Sequence, residues 1–277
     1  MENYYTVLQL KENVYRIFSP ENTYCELLIG TEKALLIDTG YGFGDLKRVV
    51  KAHTGNKPLI IVNTHGHYDH TCGNGQFDED IYIGKDDIVL CGKHTSEKAR
   101  RNAIKNAEAL NRLPENFNEE TYLVQGSGNL VPFHDGHIFN LGGITMRAIS
   151  APGHSAGSMC LLYEEENWLY TGDAANAMCW LFLREFCGKD VYLNTLDKLE
   201  ELNPIKIFSA HRPNPSNANV LQLYKRAAME ADFSKGFPFE SPFASGDEVR
   251  VCPIDGLTPD DIDNPAFAAV IICETFS

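Results

Sequence analysis

The stretch Leu59-Ile60-Ile61-Val62-Asn63-Thr64-His65-Gly66-His67-Tyr68-Asp69-His70 decides how this chain folds and where its chemistry sits. Its first half is an unbroken apolar, largely β-branched run, the pattern of a strand buried on both faces. Its second half places three imidazoles and a carboxylate directly beyond that run. A loop at a strand end can turn several side chains toward one point. Imidazole with carboxylate is a donor set that a divalent ion of the zinc, iron or manganese kind accepts.

Downstream, the same arrangement recurs three times. Pro152-Gly153-His154-Ser155 follows a strand expected over 144–149, and Thr171-Gly172-Asp173 follows one over 168–171. Ser209-Ala210-His211 follows a third, over 205–209. Open α/β sheets put their sites beyond the C-terminal ends of strands, so these groups point to one place. Upstream, Val14–Phe18, Cys25–Ile29 and Ala34–Ile37 read as short strands, the third closed by Asp38-Thr39-Gly40-Tyr41-Gly42. Helices are expected over Asp45–Ala52, Asp86–Cys91, Glu97–Leu110, Val191–Leu202 and Asn217–Ala231. Short strands are expected over Ile81–Ile83 and Ala268–Cys273. Helices and strands mix throughout, with no repeat or Gly/Ser linker. The expectation is therefore one α/β domain over 1–277, with a core at about 14–212, a helical insertion at about 85–125, and a C-terminal helix and strand-like tail over 213–277.

A chain of 277 residues, 43% of them hydrophobic, can bury a core without disulfide staples. Its eight cysteines contain no Cys-x-x-Cys pair and read as buried free thiols in a reducing compartment. The formal net charge of -14 lacks the footprint of a general nucleic-acid binder and would be repelled by an anionic membrane. No apolar run is long enough to span a bilayer, and Met1-Glu2-Asn3-Tyr4-Tyr5 carries no basic leader, so a cytoplasmic location is expected. The expected partner is a small-molecule substrate, with neither nucleic acid nor membrane. A homodimer stays open.

The order His65-x-His67-x-Asp69-His70, then His154 in Pro-Gly-His, Asp173 in Thr-Gly-Asp, and His211 resembles the metallo-β-lactamase-fold hydrolase superfamily over roughly residues 14–212. Leu36-Ile37-Asp38-Thr39-Gly40 is similar to that superfamily's first motif. The resemblance implies a four-layer αββα sandwich with two divalent metal ions at one edge, zinc first, with iron or manganese as the alternatives. By that resemblance His65, His67 and His154 hold one ion, Asp69, His70 and His211 the other, and Asp173 bridges both. Asp38 would orient a ligand imidazole or the loop. Asp69 and Asp173 are the acids assigned to catalysis. Two nearby cations repel unless anions lie between them, which suits Asp173 and a metal-bridging hydroxide as nucleophile.

Within the superfamily the chain looks closer to glyoxalase II and lactonase relatives than to true β-lactamases, which lack an acid at the Asp173 position. The implied reaction is hydrolysis of an ester-like bond: a thioester, a lactone or a related acyl bond. The alternatives are a small-molecule phosphodiesterase and an iron-dependent sulfur dioxygenase on the same donors. Metal analysis separates the last, because zinc has no redox chemistry.

Other features carry two readings each. Lys93, Lys98, Arg100, Arg101 and Lys105 read as a solvated helix face or as a lid that attracts an anionic substrate. Met178-Cys179-Trp180-Leu181-Phe182-Leu183 reads as core or dimer contact, or as the lining of an apolar substrate pocket. Tyr68 packs against its loop or donates to a substrate oxygen. The segment Phe237-Pro238-Phe239-Glu240-Ser241-Pro242-Phe243 is apolar, unlike the basic glutathione contacts of glyoxalase II. Cys72 reads as inert, and His53, His94, His134 and His137 as surface residues.

Overall fold

The computed structural model describes residues 4–275 apart from 242 and 245, so Met1–Asn3 and Pro242 of the sequence reading lie outside the described residues. Strands β1 (Thr6–Lys11), β2 (Val14–Phe18), β3 (Tyr24–Ile29) and β4 (Ala34–Ile37) form an antiparallel meander. After helix α1 (Leu46–Thr54) the sheet continues in parallel with β5 (Leu59–Val62), β6 (Asp80–Gly84) and β7 (Asn129–Phe133). Between β5 and β6 lie the short helix α2 (Tyr68–Thr71) and a 3-10 turn at Asn74–Gln76. The chain between β6 and β7 forms α3 (Ile88–His94), α4 (Glu97–Ala109) and α5 (Glu119–Leu123).

A second sheet contains β8 (Ile138–Asn140), β9 (Thr145–Ser150), β10 (Met159–Tyr163) and β11 (Trp168–Gly172). After β12 (Met178–Trp180) and α6 (Lys189–Glu201), the strand β13 (Lys206–Ser209) joins it, giving the order β13-β11-β10-β9-β8. Helix α7 (Asn219–Glu230) leads to β14 (Phe237–Phe239), β15 (Val249–Pro253) and β16 (Ala269–Cys273).

The layers follow from which face of each strand is apolar. Leu28, Leu35 and Val62 of the first sheet pack against Met146, Leu161 and Phe208 of the second. The opposite face of the first sheet, with Leu27, Leu36 and Ile61, is covered by Leu46 and Val50 of α1. The outer face of the second, with Leu162, Leu169 and Ile207, is covered by Leu196 and Leu199 of α6 and Leu221 and Tyr224 of α7. That is the expected αββα sandwich. Strands such as β3, β4, β10 and β11 are buried along their whole length because both faces are covered.

The sequence reading did not anticipate a third sheet of order β12-β16-β15-β14. Met178–Trp180 is its edge strand, parallel to β16 and therefore paired with chain about ninety residues away. Neither β12 nor β15 declares itself locally, since Val249–Pro253 carries an arginine and a proline. The helix expected over Asp45–Ala52 starts one residue later, because the Asp45 side chain accepts from Arg48 N–H as its N-cap.

Burial takes Arg100 out of the basic-lid reading, while Lys93, Lys98 and Lys105 stay exposed. Arg100 is fully buried, with its guanidinium donating to the carbonyls of Thr95, Cys72 and Gly126. Arg101 is paired with Glu97 and Glu119. Arg100 therefore fastens the helical segment to the loop after α2. All eight cysteines are free and six are buried, Cys72 among them.

Candidate metal centre

The seven candidate donors sit beyond the C-terminal ends of β5 in the first sheet and of β9, β11 and β13, which run the same way in the second. The structure brings them into two adjoining groups, His65–His67–His154 and Asp69–His70–Asp173–His211. His65 Nε2 and His154 Nε2 each lie 3.0 Å from His67 Nδ1. In the second group His211 Nε2 is 3.1 Å from Asp173 Oδ1 and 3.5 Å from Asp69 Oδ2, and His70 Nε2 is 3.5 Å from Asp69 Oδ2. Asp173 Oδ2 reaches across, 3.7 Å from His70 Nε2 and 3.8 Å from His154 Nε2.

The outer nitrogen of every imidazole is fixed by an acceptor. Carbonyls accept from Nδ1–H of His154 (Trp180 O, 3.0 Å) and of His211 (Asn22 O, 3.0 Å). Carboxylates accept from Nδ1–H of His70 (Asp38, 2.9 Å) and from Nε2–H of His67 (Glu185, 2.5 Å). Thr64 Oγ1 gives its hydrogen to Asp38 Oδ2 and so accepts from His65 Nδ1–H at 3.1 Å. In neutral imidazoles these partners leave the inward nitrogens bare. Three lone pairs facing one another in the first group repel unless a cation lies among them. In the second group, His70 Nε2 is buried without a hydrogen-bond partner. This set fits divalent metal ions.

The two groups differ in charge. Burial, reinforced by the neighbouring imidazoles, holds His65 well below the usual range and His154 down at about 4. Burial also works against a charged His211, but Asp173 and Asp69 outweigh it and hold that ring up at about 9. His70 is likewise raised against burial by Asp69, Asp38 and Asp173. Both acids lie below the usual carboxylate range because His70 and His211 overcome the cost of burying them.

The loops that carry the donors are held by buried groups, of which Asp38 belongs to the sequence motifs and Asp87 and Arg16 do not. Asp38, in the left-handed region at φ 61°, accepts from Thr64 N–H, Thr64 Oγ1 and His70, so it ties the end of β4 to the loop after β5. Asp87, 1% exposed, accepts from Gly66 N–H, Gly157 N–H and Ser155 Oγ. One carboxylate thus joins the loop of His65 and His67 to the loop of His154. Arg16, fully buried, pairs with Glu26 at 2.7 Å and donates to the carbonyls of Ser209, Arg212 and Pro213, which bracket His211. Gly172 is required where it stands: at φ 52°, a Cβ there would lie 2.4 Å from Thr64 Oγ1.

Sequence reasoning missed Asp87, Arg16 and Glu185, whose partners are distant in the chain. It also placed His94 at the surface. Instead His94 stacks on His67, ring centroids 4.9 Å apart at 23°, and burial lowers its pKa to about 4. His53 and His134 are exposed as expected. A cavity of about 790 Å³ between α1 and the 114–125 segment contains none of the donors.

The sequence matches the Metallo-beta-lactamase superfamily over residues 19–211. It is 26% identical to the human acyl-coenzyme A thioesterase MBLAC2, over 71% of this chain and 73% of that one. It is 31% identical to the atrochrysone carboxyl ACP thioesterase dmxR1 of Cryptosporiopsis sp., over 55% of this chain and 37% of the other. The chain spans less than half the length of several curated relatives it matches. Among solved structures, a metallo-beta-lactamase from Pontibacter korlensis superimposes with a TM-score of 0.60 at 14% identity, covering 82% of this chain and all of that one. Sandwich, donor order and family match agree: this chain belongs to the metallo-beta-lactamase superfamily.

Proposed function

We propose that this protein is a metal-dependent hydrolase of acyl thioesters, working with two divalent ions, zinc first. The observation that carries the reading is the donor set: five imidazoles with their outer nitrogens fixed and two carboxylates between them, one reaching both groups. The names of the human and fungal relatives favour a thioester over the other acyl bonds.

Bound ions of this kind polarise a carbonyl oxygen and activate water near neutral pH. The chain's own side chains do the rest. His65, His67 and His154 would hold one ion without adding charge, while Asp69, His70 and His211 would hold the other. Asp173 spans both groups and supplies negative charge between them. Asp38 and Glu185 keep His70 and His67 in the tautomer that presents a bare nitrogen inward. Asp69, 3.5 Å from His211, would hold the ion and also orient the attacking water.

The test is hydrolysis by metal-defined protein of an S-acyl thioester, an acyl lactone and a bis-aryl phosphate. Thioester turnover lost on chelation and restored by two equivalents of zinc is the expected result. Preferential turnover of the phosphate diester, or activity indifferent to chelation, overturns it.

A further inference from the structure

Beside the metal centre a line of aromatic rings stands half-exposed, and it joins two of the donor loops. Tyr68 lies between the donors His67 and Asp69. Its ring is 5.4 Å from that of Phe243, which lies 6.1 Å from Trp180. Trp180 in turn meets Phe182 at 5.4 Å and Phe239 at 5.5 Å. The Trp180 carbonyl is the acceptor that fixes His154. The line therefore begins at one donor loop and ends at the group that orients another.

Phe239 and Phe243 come from the chain that builds the third sheet, beyond the 19–211 superfamily match. The rings present apolar faces, with the Tyr68 hydroxyl and the exposed Glu240 carboxylate as polar groups in the same stretches. Segments 176–183 and 233–244 contain a single cation, Lys235, and it is paired with Asp232. Thiol carriers such as coenzyme A bring phosphates, for which this wall has no counterpart. An apolar group is what flat, weakly hydrated rings at a reaction centre accommodate.

We infer that Tyr68, Trp180 and Phe243 form the wall that receives the acyl side of the substrate, and that this acyl group is apolar. The inference rests on the thioester-hydrolase reading and deepens it. The third sheet then sets acyl selectivity, while the two donor groups carry the chemistry.

Two measurements test this separately. In metal-loaded W168F protein, Trp180 is the remaining indole of the chain's two. Titration with decanoate, a product-like carboxylate, should shift its emission saturably. Acetate should not, and F243A should abolish the shift. Equal responses to decanoate and acetate, or none to either, overturn the inference whatever the enzyme hydrolyses.

The second measurement is kcat/KM across acetyl, hexanoyl, decanoyl and benzoyl thioesters. Decanoyl should exceed acetyl by about tenfold or more. That ratio should fall toward one in W180A and F243A and be restored in F243L. Benzoyl against decanoyl separates a ring-shaped acyl group from a chain. Turnover that is flat across the series overturns the wall and leaves the hydrolase reading standing. No thioester turnover at all overturns the hydrolase reading, while the emission titration still decides the wall.

Discussion

The trio His65, His67 and His154 carries no negative charge of its own, whereas Asp69, His70, Asp173 and His211 include two carboxylates. The supports differ as well. The trio is held by a buried carboxylate, Asp87, that accepts from both of its loops. In the carboxylate half, the chain around His211 is held by a buried cation, Arg16. Each half is braced by a charge that binds backbone, and neither brace touches a donor side chain. The difference predicts that the His154 end and the His211 end of the centre loosen separately.

Asp173 is the group both halves share, so D173N should strike hardest. Expected is loss of the second ion and a fall in kcat/KM of at least about a hundredfold, since even indirect partners of a metal are worth 10–100-fold. Metal analysis with steady-state kinetics checks it. Full activity with two ions bound would break the comparison at its centre.

Breaking the braces sharpens the contrast. D87N leaves one buried acceptor fewer for two loops and should weaken the first ion about tenfold or more, with the second little changed. R16M should do the converse. Chelator competition on cobalt-substituted protein reads both, and circular dichroism controls for folding. If D87N and R16M weaken both ions equally, the halves are not independent.

A smaller effect concerns pH. Burial holds the Glu26 carboxyl up at about 7, against the pull of Arg16. A carboxyl that keeps its proton more tightly folded than unfolded adds stability that is complete below the ordinary carboxylate range. That contribution is lost as pH rises through about 7. Thermal melts of the chain should therefore show a decline across that window, and E26Q should flatten it. The smallest change expected is H94F, which keeps a flat ring against His67. Metal content should be unchanged, with kcat/KM altered by only about twofold.

The donors were legible because each sits immediately after a strand whose apolar pattern is local: Leu59–Val62, Trp168–Gly172 and Lys206–Ser209 announce themselves. The α/β class followed from the same runs, and the sandwich from the resemblance that the donor order carries. Arg16 was not legible, because within Val14-Tyr15-Arg16-Ile17-Phe18 it looks like the solvent side of an alternating strand. Glu26 on the next strand and the carbonyls of residues 209–213 together explain its burial. Asp87 looked like one more acid at a helix start, and Glu185 like a loop acid. Both act on backbone or rings that the fold brings in from far along the chain. The third sheet was hidden for the same reason, since β12 is recognisable only by its partner β16.

That pairing has a consequence for how the molecule is made. Met178–Trp180 lies between the bridging acid and His211 in the chain, yet its neighbour in the sheet is Ala269–Ile271. During vectorial synthesis the ribosome has released every metal donor well before that neighbour emerges. Until it does, β12 has an open edge and the Trp180 carbonyl that steadies His154 is unanchored. The support that the third sheet gives to the Trp180 carbonyl is thus completed only after Ala269–Ile271 has been made, later than every donor.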